Sequence, residues 1–430
     1  MLQPPSLIPL VPQSHTLPNG NMLQYFPNQA LPLVKLDITL EAGSRYQQCK
    51  CLSHAANRLF GEATAKSEAF QVAEFLDFRG IVVEKTIDVC TAVVTFYFLR
   101  RYADELLPLV SEMFDQPLVT QPMFDAYVAN RRQQLATGFQ KTSYVARNRF
   151  YELLYGIDHP LGTYAMPDDV DALTPDAVVD FIHRHYRLAK ARIVLSGMVD
   201  DHLLSLTDRY LAPIQTSKLI VPGDSLASNP NEPLLPPPHS GNQAIKIIVP
   251  GDSPAGIPNA VQSTIRIGRI LPMPWDSPDY ARFMVLNTVL GGYFGSRLMS
   301  NIREDKGYTY GIYSVTQIHR GSIVFYITAD VAADVAQAAV DEVMNEINRL
   351  QQQPISEEEL ERVRNYMMGD FIRSIDGVFD LSERYRQMVA THVGEQLTTN
   401  LLDAIATAIP EQLQTLAQTY LSDLVTVVVN

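Results

Sequence analysis

Apolar and polar positions along this chain fall into strand-like and helix-like stretches that recur in the same order twice. An early strand region, "PLVKLDITLEAG" from residue 32, precedes a helix-like segment and then β-rich residues ending in "AVVTFYFL" at 92–99. The second half repeats the series with "VQSTIRIGRIL" and "YTYGIYSVTQIHRGSIVFYITAD". Long helices follow in each half. "YADELLPLVSEMFDQP" and "AADVAQAAVDEVMNEINRL" carry apolar residues at helical spacing and stop before a proline turn. Each series closes on a β run, "ARIVLSGMV" or "LVTVVVN", after a helix opened by Thr-Pro or Ile-Pro.

Three landmarks fix the repeat. Leu52 and Leu290 are 238 residues apart, Pro117 and Pro354 237, and Pro175 and Pro410 235, which points to a duplicated domain. Between the copies, the proline-dense stretch 214–240 denies both helix and central strand and reads as an extended linker. The expected organisation is therefore an N-terminal domain over 1–213, the linker, and a C-terminal domain over 241–430. Strands first, grouped helices next and a returning strand last predict an α+β fold: two largely antiparallel sheets, each with helices on one face, forming a half-shell.

Composition narrows the function. The 430-residue chain carries a net charge of -13, which disfavours a nucleic-acid partner because such affinity rests on Lys and Arg neutralising phosphates. Its amino terminus has no positive charge ahead of its apolar residues and is broken by prolines, so neither a signal peptide nor a membrane anchor is expected. Cys49, Cys51 and Cys90 are too few for a disulfide framework and read as reduced thiols of a cytoplasmic protein. His183 and His185 in "FIHRHY" are two residues apart, on different faces of a helix, and are expected on its surface rather than at a metal.

Two segments carry chemistry: "GSRYQQCKCLSHAANRLFGEATAKS" and "LNTVLGGYFGSRLMSNIREDKGYTYGIYS". Together they resemble the signature regions of the insulinase/pitrilysin zinc metallopeptidases, above all the half-size members similar to the mitochondrial processing peptidase. The resemblance covers essentially the whole chain. Active members carry H-x-x-E-H on a helix, with a glutamate ligand 75–80 residues later; the histidines share one helical face and the glutamate takes a proton from metal-bound water. Here His54 fills the first position, Asn57 replaces the base and Arg58 replaces the second histidine. The stretch between Asp125 and Glu152 has no carboxylate to serve as third ligand. The resemblance therefore implies no zinc in this chain and no hydrolysis by it alone.

The second signature is intact. The resemblance implies that Arg303 and Tyr310 project across a cavity to bind a scissile carbonyl, in trans, at the zinc of a half-size partner carrying H-x-x-E-H. Tyr293 and Phe294 would line that cavity. In the first half Ile81, Val82, Val83 and Glu84 resemble the family's edge strand, to which an extended peptide substrate adds. The expected assembly is a heterodimeric peptidase in which this chain is the non-catalytic subunit. The alternative is a structural scaffold, like the related core proteins of respiratory cytochrome complexes.

Overall fold

In a computed structural model, residues 11–212, 246–249 and 261–430 are described, the short segment 246–249 by its backbone only. The linker expected at 214–240 lies outside the described residues.

The first half builds a six-stranded sheet from β1 (Gln13–Thr16), β2 (Met22–Pro27), β3 (Leu33–Leu40), β4 (Val82–Ile87), β5 (Ala92–Leu99) and β6 (Arg192–Gly197). Their spatial order is β1-β2-β6-β3-β5-β4. The second half builds a sheet from β7 (Lys246–Val249), β8 (Gln262–Leu271), β9 (Thr309–His319), β10 (Ser322–Ala332) and β11 (Val425–Val429), in the order β7-β11-β8-β10-β9. Without β1, the two orders correspond strand for strand. In both, the last strand pairs in parallel with the first (β2 with β6, β7 with β11), and every other pair is antiparallel.

Local chemistry explains the elements. In β3, Val34, Leu36, Ile38 and Leu40 turn toward the helices of the first half, where Leu106, Leu107, Val110, Phe181, Ile182 and Leu203 complete a core. Each such side chain withdrawn from water stabilises the fold by about 1.5–3 kcal/mol. The helix Pro175–His185 opens with proline at its first position, and Thr174 accepts the amide of Ala177 at 3.1 Å. Ser356 caps the helix Glu357–Arg373 in the same way, through the amide of Glu359.

The opposite faces are covered too, and by the other half. The helix Thr142–Tyr155 leaves the first half to lie on β8 and β11, burying Val145, Ala146, Phe150 and Tyr151 against Val324, Val425, Val427 and Val429. Reciprocally, the helix Val378–Thr391 lies on β2, β6 and β3 of the first sheet. This exchange explains why the polar positions Lys35, Asp37 and Thr39 of β3 are buried as fully as its apolar ones. Lys35 Nζ lies 3.1 Å from both Asp37 and Glu383, the latter on the incoming helix. Burial alone would lower the Lys35 pKa, but these two carboxylates outweigh it and raise it. Arg320 on the turn between β9 and β10 makes a bidentate bond to Glu41, at 2.7 and 2.8 Å, and so ties the second sheet to the first half.

Candidate functional site

The helix Leu52–Leu59 carries His54, Asn57 and Arg58, and starts from Cys51 in the left-handed region at φ +69°. His54 is half-buried, and its Nδ1 lies 2.9 Å from the hydroxyl of Tyr127 on the neighbouring helix Gln121–Gly138. Burial, then the charges of Arg131 and Arg58, lower its pKa to about 4. Asn57 is buried and donates Nδ2 to the carbonyl of Thr86 at 3.2 Å, as a tie between helix and β4. Arg58 is exposed. These residues do not fit zinc: one imidazole is held by a phenol, no second ligand faces it, and two guanidinium charges repel a cation. Among the described residues, no three His, Cys, Asp or Glu side chains gather to hold a metal ion. Burial pushes the thiols of Cys49, Cys51 and Cys90 up, so none offers a thiolate at neutral pH.

Tyr127 and Arg131 were not anticipated as site residues. The sequence did hold a signal for Arg131: it stands 77 residues after His54 (131 − 54), inside the interval where active relatives place their third ligand. His185 corrects another expectation. His183 is exposed, but His185 is half-buried, with its ring 4.4 Å from Phe181 and Nδ1 3.1 Å from the carbonyl of Glu41. The position next to Tyr186, a fully buried end of the helix, draws it inward.

In the second half, Arg303 lies in a π-helical turn, Met299–Asp305, and a second such turn spans Thr288–Gly292. Turns of this kind interrupt the regular ladder and recur at functional sites. The amide of Lys306 bonds to Asn301 and that of Tyr308 to Ile302, each at 3.0 Å, and Gly307 at φ +66° lets the chain reverse into β9. The Arg303 guanidinium lies over the Phe294 ring at 4.5 Å, and its nearest carboxylate contact is Glu304 at 3.7 Å. Tyr310 is 95% exposed, where the pairing of β9 with β10 breaks between Ala329 and Val331. Phe294 is exposed as well. Tyr293 instead packs on Tyr366, ring centroids 4.7 Å apart, which leaves it half-buried.

β4 is an edge strand of the first sheet. Val82 is exposed, and Val83 and Glu84 follow on the strand, so its outer backbone groups are open to a further strand. Ile81 is different. It precedes the strand and is buried in the core, so its side chain is withdrawn from anything lying along that edge.

A cleft of about 530 Å³ opens from His54 toward the junction of the halves. Cys51, Arg131, Arg147 and Asn148 line it from the first half, His319 and Thr391 from the second.

Comparison with known proteins finds relatives of the same fold. Residues 172–367 match the family described as peptidase M16 inactive domain. The chain is 23% identical to an uncharacterized zinc protease of Streptomyces coelicolor, an alignment covering 94% of this chain and 86% of that protein. It is also 23% identical to the non-peptidase homolog YmxG of Helicobacter pylori, over 67% of this chain and 63% of that one. Among solved structures, the peptidase M16 inactive domain from Pseudomonas fluorescens superposes with a TM-score of 0.81 at 18% identity, covering 97% of this chain and 98% of that one. A protease from Helicobacter pylori gives the same TM-score at 17% identity, over 98% and 100% of the two chains.

Proposed function

We propose that this chain, a half-size M16-type protein without the inverted zinc motif, is the non-catalytic subunit of a heteromeric zinc metalloendopeptidase. Its partner is a half-size chain carrying H-x-x-E-H. Arg303 and Tyr310 serve that partner's site, where a guanidinium and a phenol donate hydrogen bonds to the substrate carbonyl and to the oxyanion that develops from it.

The observation that supports this reading is a contrast within one molecule. At the first signature the retained His54 is held by Tyr127 and the replacing Asn57 by Thr86, and only Arg58 of the three is exposed. At the second, Tyr310 stands almost fully in solvent and Arg303 rests on an exposed aromatic ring, its one ion pair among the described residues being with the neighbouring Glu304 at 3.7 Å. A scaffold would have no use for donors kept free in this way. The edge of β4 offers backbone groups of Val82, Val83 and Glu84 to an extended peptide, with little demand on its sequence. Three free cysteines support a reducing, cytoplasmic setting. Among the described residues no helix is long and apolar enough to cross a membrane.

The test is reconstitution. Mixed with a half-size zinc-bearing chain, this protein should form a heterodimer on gel filtration that hydrolyses unstructured peptides, while neither chain alone does so at a comparable rate. A stable heterodimer with no more activity than the zinc-bearing chain alone would favour the scaffold role.

A further inference from the structure

The cleft beside His54 has a cationic lining in a chain whose net charge is -13. Lys50, Arg131, Arg147 and Arg320 face it against a single carboxylate, Asp88. Several of these charges are already engaged. Arg320 is neutralised by Glu41, and Lys50 has Asp169 at 3.5 Å. Asp88 is saturated by the chain around it, accepting from the amides of Cys90 and Thr91 at 2.6 Å and from the Thr91 hydroxyl at 3.0 Å.

Arg131 and Arg147 differ. Among the described residues neither is ion-paired with a carboxylate; Arg147 lies over the Tyr151 ring at 5.7 Å, and the Nε of Arg131 is buried with no hydrogen-bond partner. Asn148 lines the same cleft, 7% exposed, and its Nδ2 is likewise buried without a partner. A buried donor left unmade is expensive, so proteins keep few of them. Here two such donors and two guanidinium groups without a carboxylate partner, Arg131 half-buried and Arg147 exposed, border one cavity, in a place where the metal ligands of active relatives have been lost.

We infer that this cleft is an oxyanion site, taking the carboxylate or phosphate head of a small ligand on Arg131, Arg147 and Asn148, with the ligand's apolar part against Tyr151 and Leu161. Guanidinium groups suit such a head because their paired N–H groups match two oxygens at once. His319 and Thr391 line the cleft from the second half, so a bound ligand also bridges the halves. The site does not depend on the role proposed for Arg303 and Tyr310, and its test needs neither partner nor zinc.

The full chain is titrated calorimetrically with an acetyl-capped Ala-Leu-Ala tripeptide bearing a free C-terminal carboxylate, with its C-terminal amide, and with inorganic phosphate. Binding of the free acid at least tenfold tighter than the amide supports a carboxylate head. Phosphate binding tighter than the tripeptide supports a phosphate head. In either case Arg131→Gln and Arg147→Gln should each weaken the preferred probe at least tenfold. Asn148→Asp, nearly the same shape but negatively charged, should abolish binding and keeps the test available if an arginine variant folds poorly. The inference is overturned if no anionic probe binds, if acid and amide bind equally and phosphate does not bind, or if binding survives the three substitutions.

Discussion

His54 and Tyr127 face each other from two helices, with the imidazole Nδ1 2.9 Å from the phenol oxygen and the rings 5.8 Å apart. This contact converts what would be the first ligand of a metal site into a structural link. Burial pushes the Tyr127 phenol above its ordinary pKa and lowers His54, so both partners are neutral at physiological pH.

The purified chain is therefore expected to bind no stoichiometric zinc. Asn57→Glu with Arg58→His would restore H-x-x-E-H in name but supply no third carboxylate, and zinc affinity should stay far below that of a three-ligand site. Metal analysis after dialysis checks both, and one tightly held zinc per wild-type chain would contradict the account.

Stability should fall on mild acidification. His54 and His319 are both lowered to about 4, by burial first, whereas an unfolded chain binds their protons near 6.5. Between these values the unfolded state holds more protons, so the contribution is complete above 6.5 and is lost as pH falls toward 4. Guanidinium unfolding at pH 7 and pH 5 measures it. His54→Gln and His319→Gln should each flatten the difference; an unchanged difference in the double variant would place its origin elsewhere.

Arg320→Ala should destabilise the fold by about 2 kcal/mol, since it removes charge-assisted hydrogen bonds to the half-buried Glu41, which keeps Tyr46 at 3.0 Å and Arg192 at 4.0 Å. Arg320 is 7% exposed, and besides Glu41 it donates Nε to the carbonyl of Ala390 at 2.7 Å, so three segments lose their tie together. Chemical denaturation of the variant gives the figure, and a loss below about 1 kcal/mol would show that the halves are held mainly by the exchanged helices.

Much of this was legible in the chain itself. The constant spacing of Leu52 and Leu290, or of Pro175 and Pro410, tracks two sheets of matching strand order. The loss of base and ligand at Asn57 and Arg58 could be read directly, because those chemistries depend on residue type. What pattern could not show was the exchange of helices. Lys35 and Asp37 look like the solvent face of β3 and become buried only because Glu383, some 350 residues away, arrives from the other half. Ile81 illustrates the same limit: its neighbours Val82 and Val83 are equally apolar, and only the turn before β4 decides which one enters the core. Asn148 lacks any motif, and Arg131 is marked only by its distance from His54; the meaning of both lies in lining one cavity.

The central claim rests on Arg303 and Tyr310, and the most direct measurement is the kcat of the reconstituted heterodimer with Arg303→Ala and Tyr310→Phe in this chain. Tyr310 is 95% exposed, and among the described residues the ring and ion-pair contacts of Arg303 are with Phe294 and the neighbouring Glu304, so folding and pairing should be largely unaffected. Turnover should nonetheless drop by roughly a hundredfold for each lost oxyanion donor, and mainly in kcat if the contacts tighten in the transition state. A heterodimer that keeps full turnover with both substitutions would contradict the proposed role.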